Sequence, residues 1–187
     1  LLLPLAERGL EVSGVDISES MLSLTRKHLA SHAFEPVTLV QSLDALPEDK
    51  RYDFVHTFIT LQHVPVKLGL SIIEKLMSRV AESGILVFHV TYFAGGESII
   101  RRATARLINM LKFVVLRVGV LRSLYRLLRG RDMVPVILMG NYPLSQIFSM
   151  LSDAGFNSVH VRHSEHGYKG VVVLAQRSQS VPHPEAF

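Results

Sequence analysis

The chain has no cysteine, and this absence excludes a disulfide framework, a thiolate metal cluster and a cysteine nucleophile. It also lacks an uninterrupted apolar run of the roughly 18–20 residues that span a bilayer, because Lys112 and Arg117 interrupt the apolar stretch 107–121. The first residues lack an initiator methionine and the basic region of a signal peptide, so we expect the chain to begin inside a domain. Its 187 residues, 48% of them hydrophobic, suffice for one globular core.

Acidic residues are missing from one segment of the chain. Residues 98–131 hold nine Lys and Arg and no Asp or Glu, whereas the rest of the chain holds eleven basic and sixteen acidic residues. The formal net charge of +4 therefore comes from this basic segment. The charge of the whole chain says little about its partners.

Apolar runs and helical patterns alternate along the chain. The predicted helices cover 19–31, with Ser18 as cap, a stretch from Pro65 to Gly84, one or two helices in 97–130, and a helix ended by Gly155. The predicted strands are Glu11–Val15, Val37–Val40, Asp53–Thr60, residues 85–93 and a hairpin around Gly167. This order predicts a Rossmann-like α/β fold, with a doubly wound, mostly parallel sheet and a C-terminal antiparallel strand.

Asp16 ends the first predicted strand, in the stretch "EVSGVDISESML". Ligands of parallel α/β sheets bind beyond the carboxyl ends of the strands, where a carboxylate can accept hydrogen bonds from both hydroxyls of a ribose. The alternative is an aspartate that helps to cap the next helix, a role that Ser18 could fill alone. The two interpretations are about equally supported by this motif.

Four stretches in this order resemble class I S-adenosylmethionine-dependent methyltransferases. They are "LAERGLEVSGVDISESML", "VQSLDALPEDKRYDFVHTFITLQHV", "RVAESGILVFHV" and "YPLSQIFSMLSDAGF". The resemblance implies a partial cofactor-binding core in 1–95, a helical basic insert in 96–140, the C-terminal part of the core in 141–177 and a disordered tail in 178–187. The family's first strand and glycine-rich loop would precede Leu1, so we expect an N-terminally truncated chain that is weakly folded and inactive by itself.

The resemblance also implies the site residues and S-adenosyl-L-methionine as cofactor. Asp16 would hold the ribose, and the other cofactor contacts would be Ile17, Met21, Ser42, Leu43, Asp44, Thr57 and Phe58. The family often has an aspartate at the place of Ser42, and Asp44 could replace it through a shifted register. Beside the transferred methyl group, Phe58 and Ile59 would form walls, while Gln62 and His63 would point polar groups inward.

His63 is the candidate general base, because a histidine titrates near neutral pH. The alternative is a loop histidine that hydrogen-bonds backbone at a helix start. His56 and His89 lie within predicted strands and read as sheet residues with satisfied hydrogen bonds. The alternating histidines His160, His163 and His166 lack acidic partners at suitable spacing, so no metal site is predicted.

The basic segment 98–131 has three interpretations. It could form a helical lid over the substrate pocket, since the family varies its inserts after the strand at 85–92. It could instead be a membrane-surface helix with arginines on the phosphate side. Nucleic-acid binding is not expected, because Phe113 and Tyr125 are too sparse for a stacking platform. Three arginines could hold an anionic substrate: Arg101, Arg102 and Arg106.

The sequence therefore predicts part of a methyltransferase that acts on a small-molecule or lipid-like acceptor. The first alternative is an NAD-dependent dehydrogenase, because a strand-terminal acid also binds dinucleotide ribose. The second is a membrane-peripheral binding protein on a degenerate methyltransferase fold. We expect a cytoplasmic location, with peripheral membrane contact through 98–131 as the open question.

Overall fold

The computed structural model describes residues 2–30, 37–93, 104, 107–108, 139–165 and 169–178. The chain divides into two compact units, Leu1–Arg51 and Tyr52–Phe187. The helices are α1 (Leu2–Ala6), α2 (Glu19–Ala30), α3 (Val66–Ser78) and α4 (Leu144–Asp153). The strands are β1 (Val12–Val15), β2 (Val37–Val40), β3 (Tyr52–Thr57), β4 (Val80–Phe93), β5 (Phe156–Glu165) and β6 (Lys169–Arg177).

The first unit contains a parallel pair of strands. β1 pairs with β2 in the register Val12↔Val37 to Val15↔Val40. Gly9 follows α1 as a glycine stop, since it has a φ of 73° and its N–H donates to the Ala6 carbonyl at 2.9 Å. The predicted cap of α2 is confirmed, because the Ser18 hydroxyl lies 3.4 Å from the Met21 N–H.

The second unit contains a four-stranded sheet in the order β3-β4-β6-β5. β3 and β4 are parallel, while β6 runs antiparallel to both β4 and β5, which confirms the predicted C-terminal hairpin. Leu86, Phe88 and Val90 alternate along β4 and are fully buried. α3 packs against β4 and α4 packs against α3 and β5, with Ile73 and Ile147 fully buried, so the two helices cover a dry core.

The predicted end of α3 at Gly84 is wrong, because α3 ends at Ser78 and β4 begins at Val80. The Arg177 guanidinium donates to the Met77 carbonyl at 3.1 Å and to the Val80 carbonyl at 2.7 Å. These bonds occupy carbonyls that a continuing helix would pair with its own N–H groups. Burial of Val80 and its pairing with Tyr52 therefore outweigh the helical spacing of the apolar residues in this stretch.

The third predicted strand, Asp53–Thr60, is shorter in the structure. β3 ends at Thr57, and Ile59 has a φ of 66°, which is incompatible with extended backbone. Predictions for the basic insert and the tail lie almost entirely outside the described residues; Thr104, Leu107 and Ile108 are helical. Among the described residues, no helix has the length and apolar character needed to cross a membrane.

Candidate functional site

The carboxyl ends of β1 and β2 lie at the same end of the first unit's sheet. The Asp16 N–H, directly after β1, donates to the carbonyl of Val40, the last residue of β2, at 3.1 Å. The residues after both strands therefore share one edge. Six predicted cofactor residues lie there: Asp16, Ile17, Met21, Ser42, Leu43 and Asp44.

Asp16 is exposed and takes part in starting α2. Its Oδ1 accepts a hydrogen bond from the Ser18 N–H at 2.8 Å. One of its two carboxylate oxygens therefore helps to begin the helix, as the capping interpretation predicts. An ionised carboxylate has about four acceptor positions, and this bond uses one of them. The same side chain can therefore orient the helix start and accept hydroxyl groups of a ligand.

Two apolar side chains next to Asp16 are largely exposed. Ile17 is 90% exposed and Met21 is 51% exposed, although both belong to residue types that are usually buried. Ile17 directly follows Asp16, and Met21 lies in the first turn of α2, so both lie near the carboxyl end of β1. An apolar surface beside a carboxylate matches a nucleoside, which has a flat base and a hydroxylated sugar.

Ser42 begins the 3₁₀ turn Leu43–Ala45 that follows β2. Its hydroxyl accepts a hydrogen bond from the Asp44 N–H at 3.2 Å, and its carbonyl accepts from the Ala45 N–H at 3.1 Å. Ser42 and Asp44 are exposed and Leu43 is half-buried. The turn presents both candidate polar contacts to solvent, and which of them meets an adenine stays a prediction.

In the second unit, the segment after β3 contains strained backbone. Thr57, the last residue of β3, pairs with Phe88 of β4. Two residues later, Ile59 has a φ of 66° although its side chain is β-branched, which makes it a genuine conformational outlier. Such strain persists only where the surroundings enforce it, and it is enriched at functional sites.

Phe58 and Ile59 present apolar surface after β3. They are 40% and 41% exposed, and the Phe58 ring centroid lies 5.2 Å from that of His89 at an interplanar angle of 50°. This tilted geometry is a favourable arrangement for two rings. It fixes the orientation of Phe58 while leaving part of its ring uncovered.

Gln62 and His63 lie in the 3₁₀ turn Leu61–His63, and their side chains contact each other. The Gln62 amide nitrogen lies 3.1 Å from His63 Nε2. When Gln62 donates this bond, His63 Nε2 is the acceptor and Nδ1 carries the ring proton. The partner of His63 is thus an amide side chain rather than the backbone, and its role as a base stays a prediction.

His89 is a buried sheet residue, as predicted, and one of its ring nitrogens is hydrogen-bonded. It is 2% exposed, and its Nε2 lies 2.8 Å from the Ser164 hydroxyl of β5. Gly170 makes room for the pair, since a Cβ there would lie 2.7 Å from His89 Nε2 and 2.9 Å from Ser164 Oγ. His56, on the same face of the sheet, has a pKa that burial lowers.

The three arginines proposed to hold an anionic substrate cannot be placed. Arg101, Arg102 and Arg106 lie outside the described ranges, as does His166. Within those ranges, no three His, Asp or Glu side chains lie close enough together to hold a metal ion. Tyr142 was missed by the sequence analysis: its hydroxyl donates to the Leu61 carbonyl at 2.8 Å, a contact between residues distant in sequence.

Comparisons with known proteins agree with this arrangement. Residues 1–84 match the family model described as a methyltransferase domain. No curated protein matches the chain. The magnesium protoporphyrin IX methyltransferase of Synechocystis, solved with bound SAH, is 23% identical over 95% of this chain and 68% of its own, with a TM-score of 0.58.

Other solved methyltransferases have the same fold. A SAM-dependent methyltransferase of Methanosarcina mazei is 17% identical over 94% of this chain and 86% of its own, with a TM-score of 0.58. An O-methyltransferase family protein of Burkholderia thailandensis is 18% identical over 91% of this chain and 45% of its own, with a TM-score of 0.53. The chain spans 68% and 63% of the Synechocystis enzyme in its two structures. The predicted Rossmann-like fold and the resemblance to class I methyltransferases are confirmed.

Proposed function

We propose that this chain, whose residues 1–84 match a methyltransferase domain, acts in an enzyme that transfers the methyl group of S-adenosylmethionine to a small, partly apolar acceptor. The observation that carries the proposal is the position of Asp16. It follows β1 at the carboxyl edge of a parallel pair, with the exposed side chain of Ile17 beside it. This edge is where α/β sheets bind nucleotides.

The residues of the first unit fit the nucleoside half of this cofactor. The Asp16 carboxylate supplies acceptors for ribose hydroxyls, while Ile17 and Met21 supply apolar surface for a base. Ser42 and Asp44 offer a hydroxyl and a carboxylate at the same edge for the amino group of adenine. The cofactor supplies an electrophilic methyl group on a sulfonium sulfur.

The segment after β3 is the proposed place of the methyl acceptor. Methyl transfer depends chiefly on alignment of the nucleophile and exclusion of water, because the leaving group is already charged. Phe58 and Ile59 provide apolar walls, and Gln62 can orient a polar atom of the acceptor. His63 would remove a proton where the nucleophile carries one.

The acceptor is proposed to have an apolar face. Support comes from the exposed parts of Phe58 and Ile59, which a bound molecule would cover. The Synechocystis enzyme, which has the same fold, is named for magnesium protoporphyrin IX, an example of a small-molecule acceptor. A lipid-like acceptor would satisfy the same apolar surface.

The dehydrogenase alternative is less compatible with the sheet. In a doubly wound dinucleotide-binding sheet, all the strands of the C-terminal half are parallel to one another. Here β6 lies between β4 and β5 and is antiparallel to both. The antiparallel strand therefore favours methyl transfer over hydride transfer.

Calorimetric titration tests the choice of cofactor. The chain, expressed with whatever coding sequence precedes residue 1, is titrated with S-adenosylhomocysteine and, in parallel, with NAD. The proposal predicts saturable binding of S-adenosylhomocysteine and none of NAD. Binding of NAD alone would establish the dehydrogenase alternative, and binding of neither would contradict methyltransferase activity and favour the membrane-peripheral alternative.

A further inference from the structure

The backbone of the turn that carries Gln62 and His63 is held by a segment far away in sequence. The Tyr142 hydroxyl donates to the Leu61 carbonyl at 2.8 Å and lies 3.4 Å from the Val64 carbonyl. The Gly140 N–H donates to the Gln62 carbonyl at 2.9 Å. The turn therefore receives hydrogen bonds on both sides of the Gln62–His63 pair.

The same segment is attached to the end of β4. The Tyr142 N–H donates to the Thr91 carbonyl at 2.8 Å, and the Thr91 hydroxyl donates back to the Gly140 carbonyl. Thr91 is buried near the end of β4, where it pairs with Gly170 of β6. These bonds fix the position of the turn relative to β4.

Tyr142 is built into the fold as a tyrosine. It is 2% exposed, and Gly69 of α3 leaves the space that its hydroxyl occupies, since a Cβ there would lie 1.8 Å from the oxygen. Glycine inside a helix is unfavourable relative to alanine. The close approach of the Tyr142 hydroxyl explains why a glycine occupies this position. Burial raises the pKa of Tyr142 from 10.0 to about 12, so the phenol remains a neutral donor well into the alkaline range.

We infer that Tyr142 is a positioning residue of the methyl-transfer site, acting through the Leu61 and Val64 carbonyls to hold Gln62 and His63 in place. This inference rests on the proposed function. It assigns a role to a residue about eighty positions away in sequence from the turn that it holds. Without the hydroxyl bond, the 3₁₀ turn loses one of its attachments to the segment fixed on β4 and retains the bond from the Gly140 N–H.

The test compares Tyr142→Phe with the unsubstituted protein, because this change removes the hydroxyl and keeps the ring. Hydrogen exchange of the His63 and Val64 amides reports on the turn, whose N–H groups donate to Thr60 and Leu61 at 3.1 and 3.0 Å. Loss of one hydrogen bond is expected to speed their exchange by about three- to tenfold. Exchange in the β6 amides of Val171 and Val173 should stay unchanged.

Binding supplies the functional readout. Tyr142→Phe is expected to raise the dissociation constant of S-adenosylhomocysteine by about threefold, because the turn that Tyr142 holds closely follows Thr57 and Phe58, two of the predicted cofactor contacts. Tyr92→Phe removes a hydroxyl from a ring that contacts His163 instead, and Ile147→Val loosens the core under α4. Both controls should leave turn exchange and affinity as they are.

Three results would overturn the inference: unchanged exchange in the turn, equally faster exchange throughout the second unit, or unchanged affinity in Tyr142→Phe. A failure of the proposed function looks different. The unsubstituted protein would then fail to bind S-adenosylhomocysteine at all, and the positioning role would fail with it. Normal affinity in the unsubstituted protein and in Tyr142→Phe would overturn the positioning role alone.

Discussion

In the second unit, Tyr142 fills the space that a side chain at Gly69 would need: a Cβ on residue 69 would lie 1.8 Å from the Tyr142 hydroxyl oxygen and 2.6 Å from its ring carbon Cζ. Gly69 lies in α3, close to its N-terminus, and is buried. The contact joins α3 to the segment that precedes α4. It therefore couples two stretches of chain that sequence patterns treat as unrelated.

Gly69→Ala is expected to destabilise the protein. In an exposed helix this change would stabilise by about 1 kcal/mol, but overpacking of a core typically costs about 1–3 kcal/mol. Urea unfolding should show the loss. In a Tyr142→Ala background the obstacle is gone and the sign should reverse, so equal effects in the two backgrounds would show that the two residues are not coupled.

Ser83→Gly is expected to stabilise the protein by about 0.5 kcal/mol. Ser83 has a φ of 60°, a conformation that costs a residue with a Cβ roughly 1–2 kcal/mol, partly offset by the greater chain entropy of glycine in the unfolded state. Glu82→Gly is the matched control, and it should destabilise. Thermal unfolding that moves in the same direction for both variants would contradict strain at Ser83.

Ile59→Gly should relieve strain in the segment after β3. The φ of 66° is unfavourable for a β-branched residue, and the side chain is only partly buried, so we expect a gain of about 1 kcal/mol in unfolding free energy. Ile59→Val keeps the strained backbone and should change stability by less than about 0.5 kcal/mol. Chemical denaturation measures the unfolding free energy of both variants. A lower unfolding free energy for Ile59→Gly than for the unsubstituted protein would contradict the prediction.

Alkaline unfolding should depend on Tyr142. The pKa of its buried phenol is raised from 10.0 to about 12, so the unfolded chain releases this proton at lower pH than the folded chain does. The resulting stabilisation is fully present below about pH 10 and is lost as pH rises through about 12.

Urea midpoints measured across this pH range should fall less steeply for Tyr142→Phe than for the unsubstituted protein. Tyr92→Phe serves as the control for removal of a tyrosine elsewhere on the same sheet. Parallel pH profiles for the unsubstituted protein and Tyr142→Phe would contradict the assignment.

Local patterns predicted most of the elements and the position of Asp16 after β1. β2 has its predicted bounds, β1 differs by one residue, and Asp16 follows β1 as expected. These features depend on runs of apolar residues, on capping side chains and on glycine stops, all of which act over a few residues. The C-terminal antiparallel strand could be predicted because two strand-like runs flank Gly167 and form a hairpin.

Long-range contacts account for what the sequence did not reveal. The end of α3 is set by Arg177, whose guanidinium bonds the Met77 and Val80 carbonyls from about a hundred positions away. Tyr142 and Leu61 are 81 positions apart, and no spacing rule links them. Backbone strain at Ile59 is likewise enforced by its surroundings, since isoleucine alone disfavours positive φ.

The most direct test of the account is calorimetric titration of Asp16→Ala with S-adenosylhomocysteine. Loss of hydrogen bonds to a charged group should raise the dissociation constant by at least about tenfold. Ser18→Ala is the matched control: it removes the hydroxyl that caps α2, without touching the ribose contact, and should bind nearly as tightly as the unsubstituted protein. Unchanged affinity in Asp16→Ala, or an equal loss in Ser18→Ala, would show that Asp16 serves only the helix start and would contradict the proposed cofactor site.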